Sequence, residues 1–504
     1  MLSRAHVLSF SFAAFLLNAS VCVAQSKSIS HAPFDTKAYL EQFHSNPRAL
    51  MNSPLPKTTE DGRIIRVPAL DESGTKKLVK AKNEMRSRIC AAAGNSCEKR
   101  PAFFAAPNES NLIQQFLEGP FINNIAEIDR LNLRESVLTS PPWSDSYWPT
   151  KKGLIARRWS DDTYPDSDDW ALNHGHFLSF PPGYRGINEM APSEKYDLLV
   201  GDSEFTLTKS QWARGQRHIE ENGRVLSWAG LCHGWAPASL KVQDPKGSVT
   251  VKAANGQDIT FYPSDIKALA SLLWGEGKFK LRQVGRRCRV TDPTDSDFGR
   301  TRDDDCFDVN PATWHLAVVN QIGVEKRGFV FDSVYDTQVW NYPVSKYSFE
   351  YFNPQTMTPT SNLGSAMVSA SDYSRDKFRE FRSPGAVWFV GVAMNLTYTE
   401  PTRASRNPNT KIRSLTVKYL YDLELDAEAR ILGGEWYSNW HPDFIWSPVK
   451  DGPVTSIGEE RIDLSGWDGS FPIPPNVADA AKISSSKEQP LSRIVQQLVN
   501  LGQQ

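Results

Sequence analysis

Past its amino terminus the sequence has no apolar run near the roughly 20 residues that a membrane-spanning helix requires. A membrane span in the body of the chain is thereby excluded. Charge of neither sign is in excess: 57 lysines and arginines face 58 aspartates and glutamates, a formal net charge of −1. That balance excludes a nucleic acid or an anionic surface as a partner held by bulk electrostatics. No internal repeat and no low-complexity tract interrupts the chain, which excludes a solenoid or a disordered array. Cysteine is scarce, six in 504 residues, so this is no disulfide-dense miniature scaffold. What is present, 40% hydrophobic and 23% charged residues, describes a globular chain long enough for roughly two to four domains.

The amino terminus has the pattern of an export signal. Arg4 supplies a positive start, Val7 to Leu17 is apolar, and Ser20-Val21-Cys22-Val23-Ala24 offers small residues for cleavage before Gln25. Acylation of Cys22 is the competing reading, and Val21 is a poor neighbour for it. The mature chain is then secreted or periplasmic, in an oxidising compartment where thiols pair. Of the five remaining cysteines, Cys90 and Cys97 bracket a six-residue loop, and Cys288 and Cys306 bracket an acidic insertion. Pairing each couple leaves Cys232 as the odd thiol, the kind that signals reactivity in an exported protein.

Cys232 lies in Ser227-Trp228-Ala229-Gly230-Leu231-Cys232-His233-Gly234-Trp235-Ala236-Pro237-Ala238, where a Gly-punctuated loop enters an Ala-rich segment. At the first turn of a helix a thiol meets unpaired N–H groups and the positive dipole end, which favour the thiolate. The plain alternative is a buried cysteine packed between tryptophans. Two further stretches argue for chemistry. Asn310 to Ile322 reads as a strand carrying His315, and Gly328 to Asp336 reads as a second strand carrying an acid. The turn Gly323 to Gly328 between them makes a hairpin. On such a hairpin His315 and an acid can share one face. Cys232, His315 and an acid then form the nucleophile, base and orienter of acyl transfer.

Taken in order, residues 1–24 are the signal peptide and 25–139 a helical region, a candidate pro-segment or lid, with a basic helix at Lys76 to Ile89. Residues 140–400 are expected to hold the catalytic region. Within it, a short helix leading to a turn is expected over Ser193 to Asp202, helices at Thr208 to Glu221 and Ser264 to Trp274, the last capped by Ser264, and a hairpin at Lys241 to Phe261. Residues 401–480 extend an antiparallel sheet: Leu415, Val417, Tyr419, Tyr421, Leu423 and Leu425 alternate with polar residues, and Gly433-Gly434-Glu435-Trp436 reads as a turn. Residues 481–504 end in a small helix. The fold class is α+β, a papain- or transglutaminase-like core with a helical amino-terminal region and an antiparallel β carboxy-terminal part. The aspartates of the insertion, Asp292, Asp295, Asp297, Asp303, Asp304, Asp305 and Asp308, are dense enough for calcium, although they lack EF-hand spacing. A solvated acidic loop is the alternative.

Gly230-Leu231-Cys232-His233-Gly234-Trp235, Trp314-His315-Leu316-Ala317-Val318 and Val339-Trp340-Asn341-Tyr342-Pro343-Val344 resemble the elicitor-type transglutaminases, secreted enzymes first associated with plant-pathogenic microbes. The last segment is similar to the surface peptide by which plants perceive them. The likeness runs from about Pro142 to Trp446. It implies protein-glutamine γ-glutamyltransferase chemistry on protein substrates bearing glutamine and lysine, with calcium often required and no organic cofactor. It also implies Cys232 as nucleophile, His315 as base and Asp332 as acid, with Asp336 the competing acid. Backbone N–H groups beside Cys232, with Trp228, are the candidate oxyanion donors. A papain-like peptidase or a glutamine deamidase would use the same residues. A secreted adhesive protein without catalysis would leave them idle.

Overall fold

The computed structural model describes residues 28–30, 34–66, 116–285, 295–302, 307, 309–333, 340–448, 452–455, 457 and 462–504. The helix expected at Lys76 to Ile89, the pairs Cys90–Cys97 and Cys288–Cys306, and Asp336 lie outside these residues. So do Asp292, Asp303, Asp304, Asp305 and Asp308.

The principal strands are β1 (Lys57–Thr59), β2 (Leu281–Gly285), β3 (Val330–Asp332), β4 (Asn341–Asn353), β5 (Trp388–Thr399), β6 (Ser414–Leu425), β7 (Ile431–Trp436) and β8 (Phe444–Pro448). They pair in the order β1–β6–β5–β4–β3–β8–β2, all antiparallel, and β7 pairs with the second half of β6. The fold is a mixture of helix and antiparallel sheet. β5 and β6 run in register from Trp388↔Leu425 to Thr399↔Ser414, so residues on both sides of position 400 share one sheet. The amino-terminal region contributes β1 to that sheet as well as the helix α1 (Thr36–Ser45).

The remaining helices used below are α2 (Thr206–Asn222), α3 (Cys232–Lys241), α4 (Pro263–Glu276), α5 (Pro311–Val318), α6 (Pro475–Ser485) and α7 (Ser492–Leu501). α3, α4 and α7 form a helical lobe whose core includes Trp235, Leu269, Leu273 and Leu498, and which meets the sheet at Val330, Phe444 and Trp446. On one face of the long strands, Tyr347, Val392, Met394, Tyr419 and Tyr421 pack with Trp314 of α5. On the opposite face, α1 packs Leu40 and Phe43 with Phe352, Ala393 and Leu420. This double coverage explains β6: it alternates over its first residues and is buried throughout its second half.

Three sequence expectations are corrected. Asn310 to Ile322 is helical, not a strand. Asn310 caps it by accepting from the Ala312 N–H at 2.8 Å, and Pro311 takes the first helical position. All eight residues of α5 are buried, so no polar face betrays the helical period. α4 begins at Pro263, and Asp265 rather than Ser264 closes its start by accepting from the Tyr262 N–H at 2.8 Å. Ser264 instead donates to Asp145 at 2.7 Å. Gly433-Gly434-Glu435-Trp436 lies inside β7. A Cβ on Gly434 would stand 2.2 Å from the Asp422 carbonyl and 2.9 Å from Pro311, so glycine here serves close packing rather than a turn.

Buried charges lock the sheet. Arg382 donates to Asp422 at 2.6 and 2.8 Å, to Asp376 at 2.9 and 3.1 Å, and to Glu424 at 3.3 Å. Arg300 grips Glu435 at 2.7 and 2.8 Å. All of these side chains are at most 8% exposed. Removing one partner of such a group strands the others in a low-dielectric interior. Arg382→Met is expected to cost about 3–5 kcal/mol, read as a lower urea midpoint, with alkylation of Cys232 in the folded protein unchanged.

Candidate active site

The chain enters α3 through a loop held at several points. Thr150 N–H donates to the Ala229 carbonyl at 2.9 Å, and Leu231 N–H donates to the Tyr147 carbonyl at 2.8 Å. Leu231 is the cap and Cys232 the first helical residue, so its sulfur lies at the positive end of the helix dipole. Gly234 lets α3 press onto α4: a Cβ there would meet the Ser271 carbonyl at 2.1 Å. Cys232 is 5% exposed and is a reduced thiol rather than half of a disulfide.

From the sheet, Asn341 opens β4 and its Nδ2 donates to Cys232 Sγ at 3.7 Å. Trp446 Nε1 donates to Asn341 Oδ1 at 2.9 Å. That bond orients the amide so that its N–H edge faces the sulfur. Asp332 is the register partner of Asn341 and is 1% exposed, and directly opposed residues project from the same sheet face. Trp340 stands against Tyr147 at 5.2 Å and stacks on Tyr342 at 6.2 Å, forming an aromatic wall. Trp228 is half-buried in the turn before α3.

His233, next to the nucleophile candidate, completes the cluster. Its Nε2 stands 3.9 Å from Glu276 Oε1, and Arg214 Nη1 lies 2.5 Å from the same oxygen. Burial raises the Cys232 thiol pKa, but the hydrogen bond and charge of His233, with Asn341, outweigh it and leave the thiol below its ordinary value. Burial lowers the imidazole of His233. The hydrogen bond to Cys232 and the negative charges of Cys232 and Glu276 overcome it, lifting His233 to about 9. The two shifts run in opposite directions, the thiol down and the imidazole up, and each group is the principal cause of the other's shift against burial.

His315 stands apart from this cluster. Its Nδ1 shares a 2.8 Å hydrogen bond with the Tyr421 hydroxyl, and its ring meets Phe349 edge-on at 5.0 Å. It is fully buried, and burial drives its pKa down to about 3. None of its contacts among the described residues is to Cys232. The structure thus brings together Cys232, Asn341 and Asp332, and leaves His315 in the core between α5 and β6. Of the aspartates expected to bind calcium, Asp295 and Asp297 are described; Asp295 pairs with Arg48 at 3.0 Å and Asp297 is exposed. Among the described residues no group of three His, Cys, Asp or Glu side chains is placed to hold a metal ion, and no helix is long and apolar enough to cross a membrane.

Residues 113–464 match the family model described as transglutaminase elicitor. The chain belongs to the transglutaminase elicitor family. Among solved structures it is similar to the GP42 transglutaminase from Phytophthora sojae, with 20% identity, a TM-score of 0.49, and coverage of 70% of this chain and 94% of that one. No curated protein sequence matches it. In the described part of the segment likened to a surface peptide, Asn341 is 5% exposed and Val344 is fully buried, so the likeness does not extend to exposure at these two positions.

Sequence reasoning missed His233, Asn341, Glu276, Arg214 and Trp446. Two signals were available: a histidine directly after the cysteine in the first turn of α3, and an asparagine flanked by aromatics in the segment carrying the resemblance. Iodoacetamide is expected to label Cys232 readily at pH 6, where an ordinary thiol of pKa about 8.5 is almost wholly protonated. Asn341→Ala removes a donor to the sulfur and should slow that labelling several-fold. Mass mapping of the labelled peptide against pH measures both.

Proposed function

We propose that this chain is an exported acyltransferase that joins protein glutamine side chains to lysine or other primary amines, with Cys232 as nucleophile. The observation that carries this reading is the Cys232 thiol itself. It is placed at a helix start, fronted by the Asn341 amide at 3.7 Å and paired with His233, in a chain of the transglutaminase elicitor family.

In this mechanism the Cys232 thiolate attacks the carboxamide carbon of a bound glutamine. The carbonyl electrons move onto oxygen, which accepts hydrogen bonds from Asn341 Nδ2–H and from backbone N–H groups at the start of α3. The His233 imidazolium gives its proton to the departing amine, ammonia leaves, and a thioester remains on Cys232. Neutral His233 then takes a proton from the incoming lysine amine. That amine attacks the thioester carbon, the isopeptide bond forms, and the thiolate is released beside the recharged imidazolium. Trp340, Tyr147 and Trp446 flank the reacting atoms and reduce the access of water that would deamidate the thioester instead. Asp332, opposite Asn341, is assigned to support the strand register that aims the amide. His315 is assigned to the core, and no step is given to it.

The test is incorporation of a labelled primary amine into a glutamine-rich protein by the purified chain. Cys232→Ser should abolish it with the fold intact. His233→Gln should lower kcat by about 10²-fold or more, whereas His315→Gln should lower stability by about 1 kcal/mol through the lost Tyr421 bond and leave the folded protein active. Cleaved substrate without crosslinks would identify a peptidase. A chain that loses nothing when Cys232 is blocked would be a binding protein.

A further inference from the structure

We propose that Glu276, itself held by Arg214, is the positioning acid of this site, which orients and charges the His233 imidazole beside Cys232. The acid expected from sequence was an aspartate of the sheet. The proposal rests on the reading of Cys232 as nucleophile, and it adds a relay that runs away from the sheet into the helical lobe.

Four groups of alternating charge stand in succession: Cys232, His233, Glu276 and Arg214. Glu276 Oε1 is 3.9 Å from His233 Nε2 and 2.5 Å from Arg214 Nη1. The side chains of Glu276 and Arg214 are 24% and 19% exposed, so water screens their pairing weakly, whereas His233 is 42% exposed and its pairing with Glu276 is screened more. An opposite charge within about 4–6 Å stabilises an ionised group by roughly one to three pKa units. Glu276 is the last residue of α4, the end at which the helix dipole is negative. Both effects favour a cationic imidazole. The backbone leaves room for it: a Cβ on Gly275 would stand 3.2 Å from His233 Nε2. Burial pulls the Glu276 carboxyl upward, and the nearby His233 and the charge of Arg214 reverse it, leaving the acid below its ordinary range.

The helix ends that meet here are tied from behind. Gln489 Nε2 donates to the Glu276 carbonyl, and Glu488 pairs with Arg217, one helical turn beyond Arg214 on α2. Both come from the link between α6 and α7, beyond the residues 113–464 that the family model covers. Among the described residues, Tyr147 and Tyr342 also couple to Cys232, and Asp332 acts on Tyr342. Burial, followed by neighbouring negative charge, keeps both phenols above their ordinary value, with Tyr147 at about 12. They stay neutral across the range in which the thiol and imidazole titrate. Glu276 thus supplies the negative charge seated at His233.

The experiment is the rate of iodoacetamide labelling at Cys232 between pH 5 and 10, read by peptide mapping on the full chain. Melting curves confirm that each variant is folded. Glu276→Gln is expected to cut labelling at pH 6 about tenfold, a shift of about one unit in the thiol titration. It should also move the loss of imidazolium to lower pH. Arg214→Gln should shift the profile in the same direction by less, and Glu276→Asp should restore part of it. A Glu276→Gln profile superimposable on that of the parent chain would overturn the relay and leave Glu276 as a helix-end ion pair. If Glu276→Gln does not fold, the His233 titration followed by NMR in the parent chain decides. A midpoint near 9 supports the relay, and one at or below the ordinary 6.5 overturns it. Labelling does not depend on transfer, so a parent chain that labels as expected but transfers no amine would sink the acyltransferase reading alone.

Discussion

The helix that begins at Cys232 is pressed between two partners, and the site depends on that seam. On one side α3 closes onto α4 at Gly234, where a single added carbon would collide with the Ser271 carbonyl. On the other, Asn341 comes from the first position of β4 with its amide already oriented by the Trp446 indole. Cys232 therefore has both a positive helix start behind it and a fixed N–H donor in front. A thiol in a buried place ordinarily resists ionisation. Here oriented donors and a neighbouring histidine offset that cost, and the thiol lies below its ordinary value.

Rigidity of the sheet side follows from its charges as much as from its apolar packing. Arg382 and Arg300 are nearly excluded from solvent together with four carboxylates, an arrangement that tolerates little displacement because each group satisfies the others. Arg382 ties its segment to β6, and Arg300 ties its own to β7. α5 lies against that part of the sheet, and its packing carries His315 into the core, where Tyr421 takes its Nδ1. The two lobes meet at Val330, Phe444 and Trp446, next to the strand ends that present Asp332 and Asn341.

Elements with one wet face were legible in the sequence. The amphipathic tail helix, α2 and the alternating first half of β6 all carry the period of their structure in their side chains. α5 does not, because every position is buried, and a continuous apolar run is compatible with either strand or helix. The decisive local signal there was Asn310-Pro311, a cap and a first-turn proline, which outweighs the β-branched valines that follow.

By itself the sequence determined that one cysteine stands at a helix start and that the chain is built of helices and antiparallel strands. Its motifs also carried the transglutaminase elicitor likeness that the family match bears out. Which groups surround that sulfur was decided only by tertiary structure. Asn341 is 109 positions away along the chain and Trp446 a further 105. Glu276 reaches His233 only because two helices close at a glycine. Periodicity records which face of an element is buried, but it does not record what lies across the gap. That depends on how the helical lobe docks against the sheet, and the same docking puts His233 rather than His315 beside the thiol.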